Sequence, residues 1–134
     1  MVDMHAAEFI FLKGGFPDLM KVLITGGGGF LGNQLARRLF ERGSLTGPSG
    51  DQEAIDSICL LDAHFSEASQ QGLPEVHTLL TGDVADRDFV SEAIDRDDIA
   101  VFHLASMVSG ECEERFDDAL RVNLDGGRNV FDAC

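Results

Sequence analysis

The sequence has no tyrosine and no tryptophan, and only two of its 134 residues, Lys13 and Lys21, are lysines. No mechanism can therefore draw a phenolic general acid or base from these residues. Ten basic residues stand against 24 acidic ones, a formal net charge of −14. DNA, RNA and anionic membrane surfaces need clustered Lys and Arg, so this balance argues against all three as partners. Cys59, Cys112 and Cys134 form no C-x-x-C pair and no His/Cys cluster at zinc spacing. The expectation is no metal, and a reducing, cytoplasmic setting. No apolar run approaches the roughly eighteen residues of a membrane span. The N-terminal stretch has neither the basic start nor the small-residue cleavage site of a signal peptide.

With 44% apolar residues, the chain can build one domain with a real core. Apolar runs alternate with helix-period segments, the pattern of a parallel sheet with crossover helices. Met20-Lys21 opens directly into the first strand, Val22-Leu23-Ile24. Residues 1–19 accordingly read as an extension, with Met20 as the natural start and one domain over 20–134. A helix carrying Leu35, Leu39 and Phe40 stops near Gly43. Residues 44–57 read as an exposed polar loop with some helical character near its end. A second strand, Ile58 to Leu61, ends at Asp62, and a polar segment covers 64–75. A third strand runs from Val76 to Leu80. Asp86 is placed to N-cap a helix through about Arg96, with Phe89, Val90, Ala93 and Ile94 on its apolar face. The fourth strand spans Ala100 to Ala105. One long helix from about Glu113, or one helix with a soft point at Gly126-Gly127, carries the stripe Phe116, Leu120, Leu124, Gly127 and Phe131. The count is four strands and three or four helices, half of a doubly wound sheet.

The strongest chemistry lies in Thr25-Gly26-Gly27-Gly28-Gly29-Phe30-Leu31-Gly32, between a strand and a helix. It satisfies both G-x-x-G-x-x-G and G-x-G-x-x-G. A pyrophosphate site needs a tight turn, close approach of the backbone and close helix–strand packing. The helix N-terminus adds free N–H groups and a positive dipole end. Asp62 closes the second strand, where a carboxylate accepts from the adenosine ribose hydroxyls. It lies thirty residues beyond Gly32 rather than the usual span of about twenty, and the polar stretch at 44–57 accounts for the excess. No arginine follows to take a ribose phosphate, which favours NAD over NADP. Asp83 is placed either to accept from the adenine amino group or to close the Gly82-Asp83 turn.

The glycine loop, Asp62, Gly82-Asp83-Val84, His103-Leu104-Ala105-Ser106 and Asn123-Leu124-Asp125-Gly126-Gly127-Arg128-Asn129 occur in this order. Together they resemble the extended short-chain dehydrogenase/reductase family of NAD-dependent sugar epimerases and dehydratases, over about residues 20–134. The resemblance implies a Rossmann-type doubly wound α/β fold, of which this sequence is the N-terminal part. It implies cofactor contacts from Gly26, Gly29, Phe30, Leu31, Gly32, Asp62, Asp83, Val84, Leu104, Ala105 and Ser106. Ser109 then sits where a loop reaches substrate, and Asn123 on the helix behind the active site. Gly127 departs from the family's usual Thr, and Ser106 from its commoner Ala. The family's general base belongs to a Tyr-x-x-x-Lys motif that these residues lack, so no catalytic residue is expected among them. A narrower resemblance, carried by residues 101–110 and 121–126, is to the D-erythronate dehydrogenase group. It implies oxidation of the C2 hydroxyl of a sugar acid. A nucleotide-sugar epimerase or dehydratase, and an inactive dinucleotide sensor, remain alternatives.

Other residues read more plainly. His103 suits a strand-end histidine bonded to backbone, and Cys59 a small core residue. The runs 95–98 and 111–114 suit solvated helix ends. The Phe116 stripe is either core or a helix face that pairs across a homodimer.

Overall fold

A computed structural model describes residues 19–71, 73 and 77–134. The extension therefore lies outside the described residues except for Leu19, and so does Val76. Leu19 belongs to the first strand, β1 (Leu19–Thr25), pairing with Ala54. The chain continues through α1 (Phe30–Arg42), β2 (Ser44–Thr46), β3 (Gln52–Asp62), α2 (Glu67–Gln70), β4 (Thr78–Thr81), α3 (Arg87–Ala93) and β5 (Ile99–His103). It closes with α4 (Ser109–Glu114), α5 (Phe116–Leu120), a π-helical turn (Arg121–Gly126) and α6 (Gly127–Ala133).

β1 lies between β3 and β5 and runs parallel to both. The outer edge of β3 is shared: β2 pairs antiparallel with its first residues and β4 parallel with its last. Period-two alternation in β1 explains why its residues bury on both faces. Val22 and Ile24 pack with Ala36, Leu39, Ile58 and Leu60 on the α1 side. Leu23 packs with Cys59, Leu61, Val84, Val90, Ala93 and Val130 on the α3 and α6 side. Each fully buried aliphatic side chain here contributes about 1.5–3 kcal/mol. Burial also pushes the Cys59 thiol up to about 11, as fits a core residue.

Several expectations are corrected. Residues 44–57 are neither loop nor helix; β2 and the start of β3 form an antiparallel hairpin around a turn at 47–51. The strands among the described residues thus number five. Asp86 does cap α3, its Oδ1 accepting from Asp88 N and Phe89 N at 3.1 and 3.2 Å, but the helix stops at Ala93. The run 95–98 is not merely solvated. Arg96 pairs with both Asp98 and Asp56, and Asp95 with Lys21, tying the end of α3 to β1 and β3. The last segment is, as expected, one long helix, continuous from Phe116 to Ala133 through the π-helical turn and with regular helical backbone at Gly126-Gly127; it starts after a break at Arg115 that sets α4 apart. Its apolar stripe faces outward: Phe116 is 64% exposed and Phe131 85% exposed, with Leu120 and Leu124 also exposed. The inward face carries Ala119, Val122, Gly126 and Val130, of which Val122 and Val130 pack on the core around Leu23 and Leu61. A Cβ on Gly126 would meet Val84 Cγ1 at 2.6 Å.

Candidate functional site

Because β1, β3, β4 and β5 are mutually parallel, their carboxyl ends share one rim of the sheet. Thr25, Asp62, Gly82-Asp83 and His103-Leu104 all sit there. The chain crosses to one side of β1 through α1 and later returns to the other side as β5. The switch point of the sheet therefore falls between β1 and β5, where open α/β sheets bind ligands.

The glycine loop fills that switch point. Gly26 has φ 72°, and a Cβ there would lie 2.8 Å from Ala105 N and Leu104 C. Only glycine lets the loop touch the end of β5 in this way. Gly32 presses against the Gly26 carbonyl from the first turn of α1. Gly29 N-caps α1 in extended conformation with no side-chain capping bond, and the first turn carries no acidic residue. The first-turn N–H groups have no intrahelical acceptor, so α1 offers its positive end to an anion. In so acidic a chain this is a local source of positive potential. Phe30 and Leu31, on that turn, are exposed despite being large and apolar.

Two carboxylates face the loop from the β3 and β4 ends. Asp62 Oδ2 accepts from Gly28 N at 2.9 Å, and Oδ1 accepts from His64 N at 3.4 Å. Among the described residues no cation pairs with it. Asp83 Oδ1 accepts from Ala85 N at 2.9 Å, and Oδ2 pairs with the Arg121 guanidinium. Partial burial works to raise the Asp83 carboxyl, but the Ala85 N–H and the Arg121 charge outweigh it and hold the group below its ordinary value.

Between loop and β5 sits Thr25, fully buried. Its Oγ1 lies 3.1 Å from Leu104 N, 3.2 Å from Ala105 N and 2.6 Å from His103 Nδ1. Accepting from two N–H groups uses both lone pairs of the hydroxyl. Leu104 N also donates to the Thr25 carbonyl at 3.1 Å, and the hydroxyl and His103 Nδ1 are joined by a hydrogen bond. Partial burial lowers the His103 pKa. The expected backbone partner is thus replaced by a side-chain hydroxyl. Behind the loop that follows β5, Asn123 clamps Met107: Met107 N donates to Oδ1 at 2.8 Å and Nδ2 donates to Met107 O at 3.1 Å.

Two clefts, of about 670 and 570 Å3, meet at Gly26, Gly29, Leu104, Ala105 and Ser106. The larger is walled by Asp62, Asp83, Val84 and Arg121. The smaller is walled by Phe30, Leu31, Gly32, His103 and Asn123. The structure thus gathers every expected cofactor residue into one continuous trough. Of the two other expected site residues, Asn123 lines the smaller cleft, whereas Ser109 opens α4 and lines neither. A dinucleotide suits this trough: an uncapped helix start at its centre, an acid at one end, and a glycine cradle that a Cβ would fill. Thr25 and Arg121 escape sequence reasoning because their partners lie 78 and 38 positions away. Among the described residues no group of His, Cys, Asp or Glu could hold a metal, and no helix is long and apolar enough to cross a membrane.

Comparison with known proteins places the trough in context. Residues 23–134 match the model of the 3-beta hydroxysteroid dehydrogenase/isomerase family. The chain is 47% identical to the D-erythronate dehydrogenase of Cupriavidus necator over 116 residues, 86% of this chain and 34% of that protein. It is similar to the crystal structure of the nucleoside-diphosphate-sugar epimerase from Agrobacterium tumefaciens, with a TM-score of 0.72, 31% identity, and coverage of 90% of this chain and 34% of that one. The UDP-glucose 4-epimerase of Thermus thermophilus, solved in complex with NAD, superposes with a TM-score of 0.65 at 28% identity, covering 86% of this chain and 33% of that one. The chain spans about a third of the length of these relatives.

Proposed function

The chain belongs to the 3-beta hydroxysteroid dehydrogenase/isomerase family, within the extended short-chain dehydrogenases/reductases, and from that premise we propose that residues 20–134 form the cofactor-binding part of an NAD-linked oxidoreductase acting on a sugar acid. When bound, NAD supplies a hydride acceptor for oxidation of an alcohol. The chain's own residues bind and orient it. The uncapped start of α1 receives the pyrophosphate, and Gly26, Gly29 and Gly32 let the backbone come close. Asp62 receives the ribose hydroxyls, Asp83 and Val84 take the adenine side, and Leu104, Ala105 and Ser106 underlie the nicotinamide ribose. With no tyrosine among its 134 residues, the chain contributes binding and no phenolic proton transfer.

The observation that carries the choice of NAD is the Asp62 carboxylate. Two backbone N–H groups hold it at the strand end, and among the described residues no cation pairs with it to neutralise a second phosphate. Fluorescence titration of the chain with NADH and NADPH tests this. NADH is expected to bind more tightly, and equal or reversed affinity overturns the role of Asp62. The sugar-acid substrate, with oxidation at its C2 hydroxyl, rests on the 47% identity to the Cupriavidus necator enzyme. A nucleotide-sugar epimerase or dehydratase is the second reading, favoured by the epimerases among the similar structures. A dinucleotide sensor without catalysis is the third, motivated by the missing tyrosine. The exposed stripe on the last helical segment supports a homodimer through that face, and three free thiols support a cytoplasmic setting.

A further inference from the structure

Two arginines, Arg115 and Arg121, line the larger cleft. Arg115 is occupied by Asp118, three residues along, with Nε donating to Oδ2 at 2.9 Å. Arg121 reaches from the π-helical turn to Asp83 at the end of β4 and ties the helix wall of the cleft to the sheet wall. π-helical turns inside α-helical runs frequently mark functional positions, and here the turn opens with the residue that crosses the cleft. We propose that Arg121 is a positioning residue for base recognition: it fixes the Asp83 carboxylate as an oriented acceptor for the 6-amino group of a bound adenine. The proposal rests on the dinucleotide reading above.

A carboxylate has about four lone-pair sites. Ala85 N–H takes one on Oδ1 and Arg121 takes one on Oδ2, leaving one site on each oxygen. Those two contacts come from different walls, so together they stop the carboxylate from turning. Without Arg121, only the Ala85 N–H remains, within Asp83's own turn, and the acceptor is free to swing. An anchored, ionised Asp83 favours a base with an amino group at the 6 position and repels one with a carbonyl there. The pair contributes little to the fold, because both side chains are well exposed, at 51% and 39%. Binding and stability therefore separate experimentally.

The test is titration of the chain with NADH and with reduced nicotinamide hypoxanthine dinucleotide, which differ at the 6 position of the base. The unsubstituted chain is expected to prefer NADH by about tenfold, the effect of one charge-assisted hydrogen bond. Arg121→Ala is expected to bring the ratio to within about twofold, whereas Arg121→Lys keeps part of it. Asp83→Asn should lower the ratio as Arg121→Ala does, and the double variant should lose no more than either one. A ratio that survives Arg121→Ala, or a variant that weakens both ligands equally, overturns the positioning role. An unsubstituted chain that binds both dinucleotides equally refutes this inference alone. One that binds neither refutes the dinucleotide reading and the inference with it.

Discussion

Replacing Thr25 by valine is the sharpest probe of how the trough is held together. Valine preserves the branched shape of a fully buried residue while deleting the hydroxyl that joins β1 to the end of β5. Three groups lose their partner, unequally. Leu104 N keeps the Thr25 backbone carbonyl at 3.1 Å, and the half-exposed His103 turns to water. Ala105 N–H is left with a methyl group at hydrogen-bond distance. One orphaned, partly buried donor costs about 1 kcal/mol or more, and the close methyl contact adds to it, so about 2–3 kcal/mol in all is expected. Thr25→Ser makes the control, since it keeps the hydroxyl and loses one buried methyl, at about 1 kcal/mol. For a chain of this size each kcal/mol moves the melting midpoint by roughly 4 °C. Thermal unfolding followed by circular dichroism should then place the valine variant some 8–12 °C below the parent, and the serine variant only about 4 °C below. A valine variant that melts at or above the serine variant would refute the assignment of three hydrogen bonds to this hydroxyl.

Two further outcomes are expected. The depressed pKa of His103 means that the unfolded chain, with its imidazole near 6.5, takes up a proton that the fold resists. Stability is then fully present above about pH 6.5 and is lost as the pH falls through the lower folded value. The depressed Asp83, well exposed and so screened by solvent, adds only a small further loss below about pH 4. Urea midpoints measured from pH 8 to 3 should show both declines, and His103→Gln should flatten the upper one; a midpoint that rises between pH 7 and 5 contradicts the assignment. If the exposed Phe116, Leu120, Leu124 and Phe131 stripe joins two copies, Leu124→Glu with Phe131→Glu should shift sedimentation from dimer to monomer. Such surface changes leave the melting midpoint almost unmoved, and identical sedimentation of parent and variant removes the dimer.

Local chemistry made much of the fold legible. The runs Val22-Leu23-Ile24 and Ile58 to Leu61 read as strands because burial on both faces leaves no polar position. Asp86 read as a cap because its side chain acts three residues away at most. The trough residues were legible through the glycine loop and the strand ends. Where pairing is distant, the sequence was mute. Polarity in 44–57 marks exposure, and an edge hairpin is as exposed as a loop. The helical stripe reported a face of large apolar residues, yet the inward face carries Ala119 and Gly126 because the helix passes close to Val84. Thr25 and Arg121 act on partners that only the crossovers bring near, so no window of sequence contains both members of either pair.

The hairpin of β2 and β3 bears on how the chain tolerates change in length. From Gln52 to Asp62, β3 advances ten steps of about 3.3 Å, so the turn at 47–51 stands roughly 30 Å from the acid that faces the glycine loop. The thirty-residue interval from Gly32 to Asp62 is thus absorbed at the far end of a rigid rod. Residues added or removed around Pro48-Ser49-Gly50 alter the overhang without moving the tip. That turn is the natural place to graft an affinity tag or a fluorescent reporter, since the strand insulates the trough from whatever is attached.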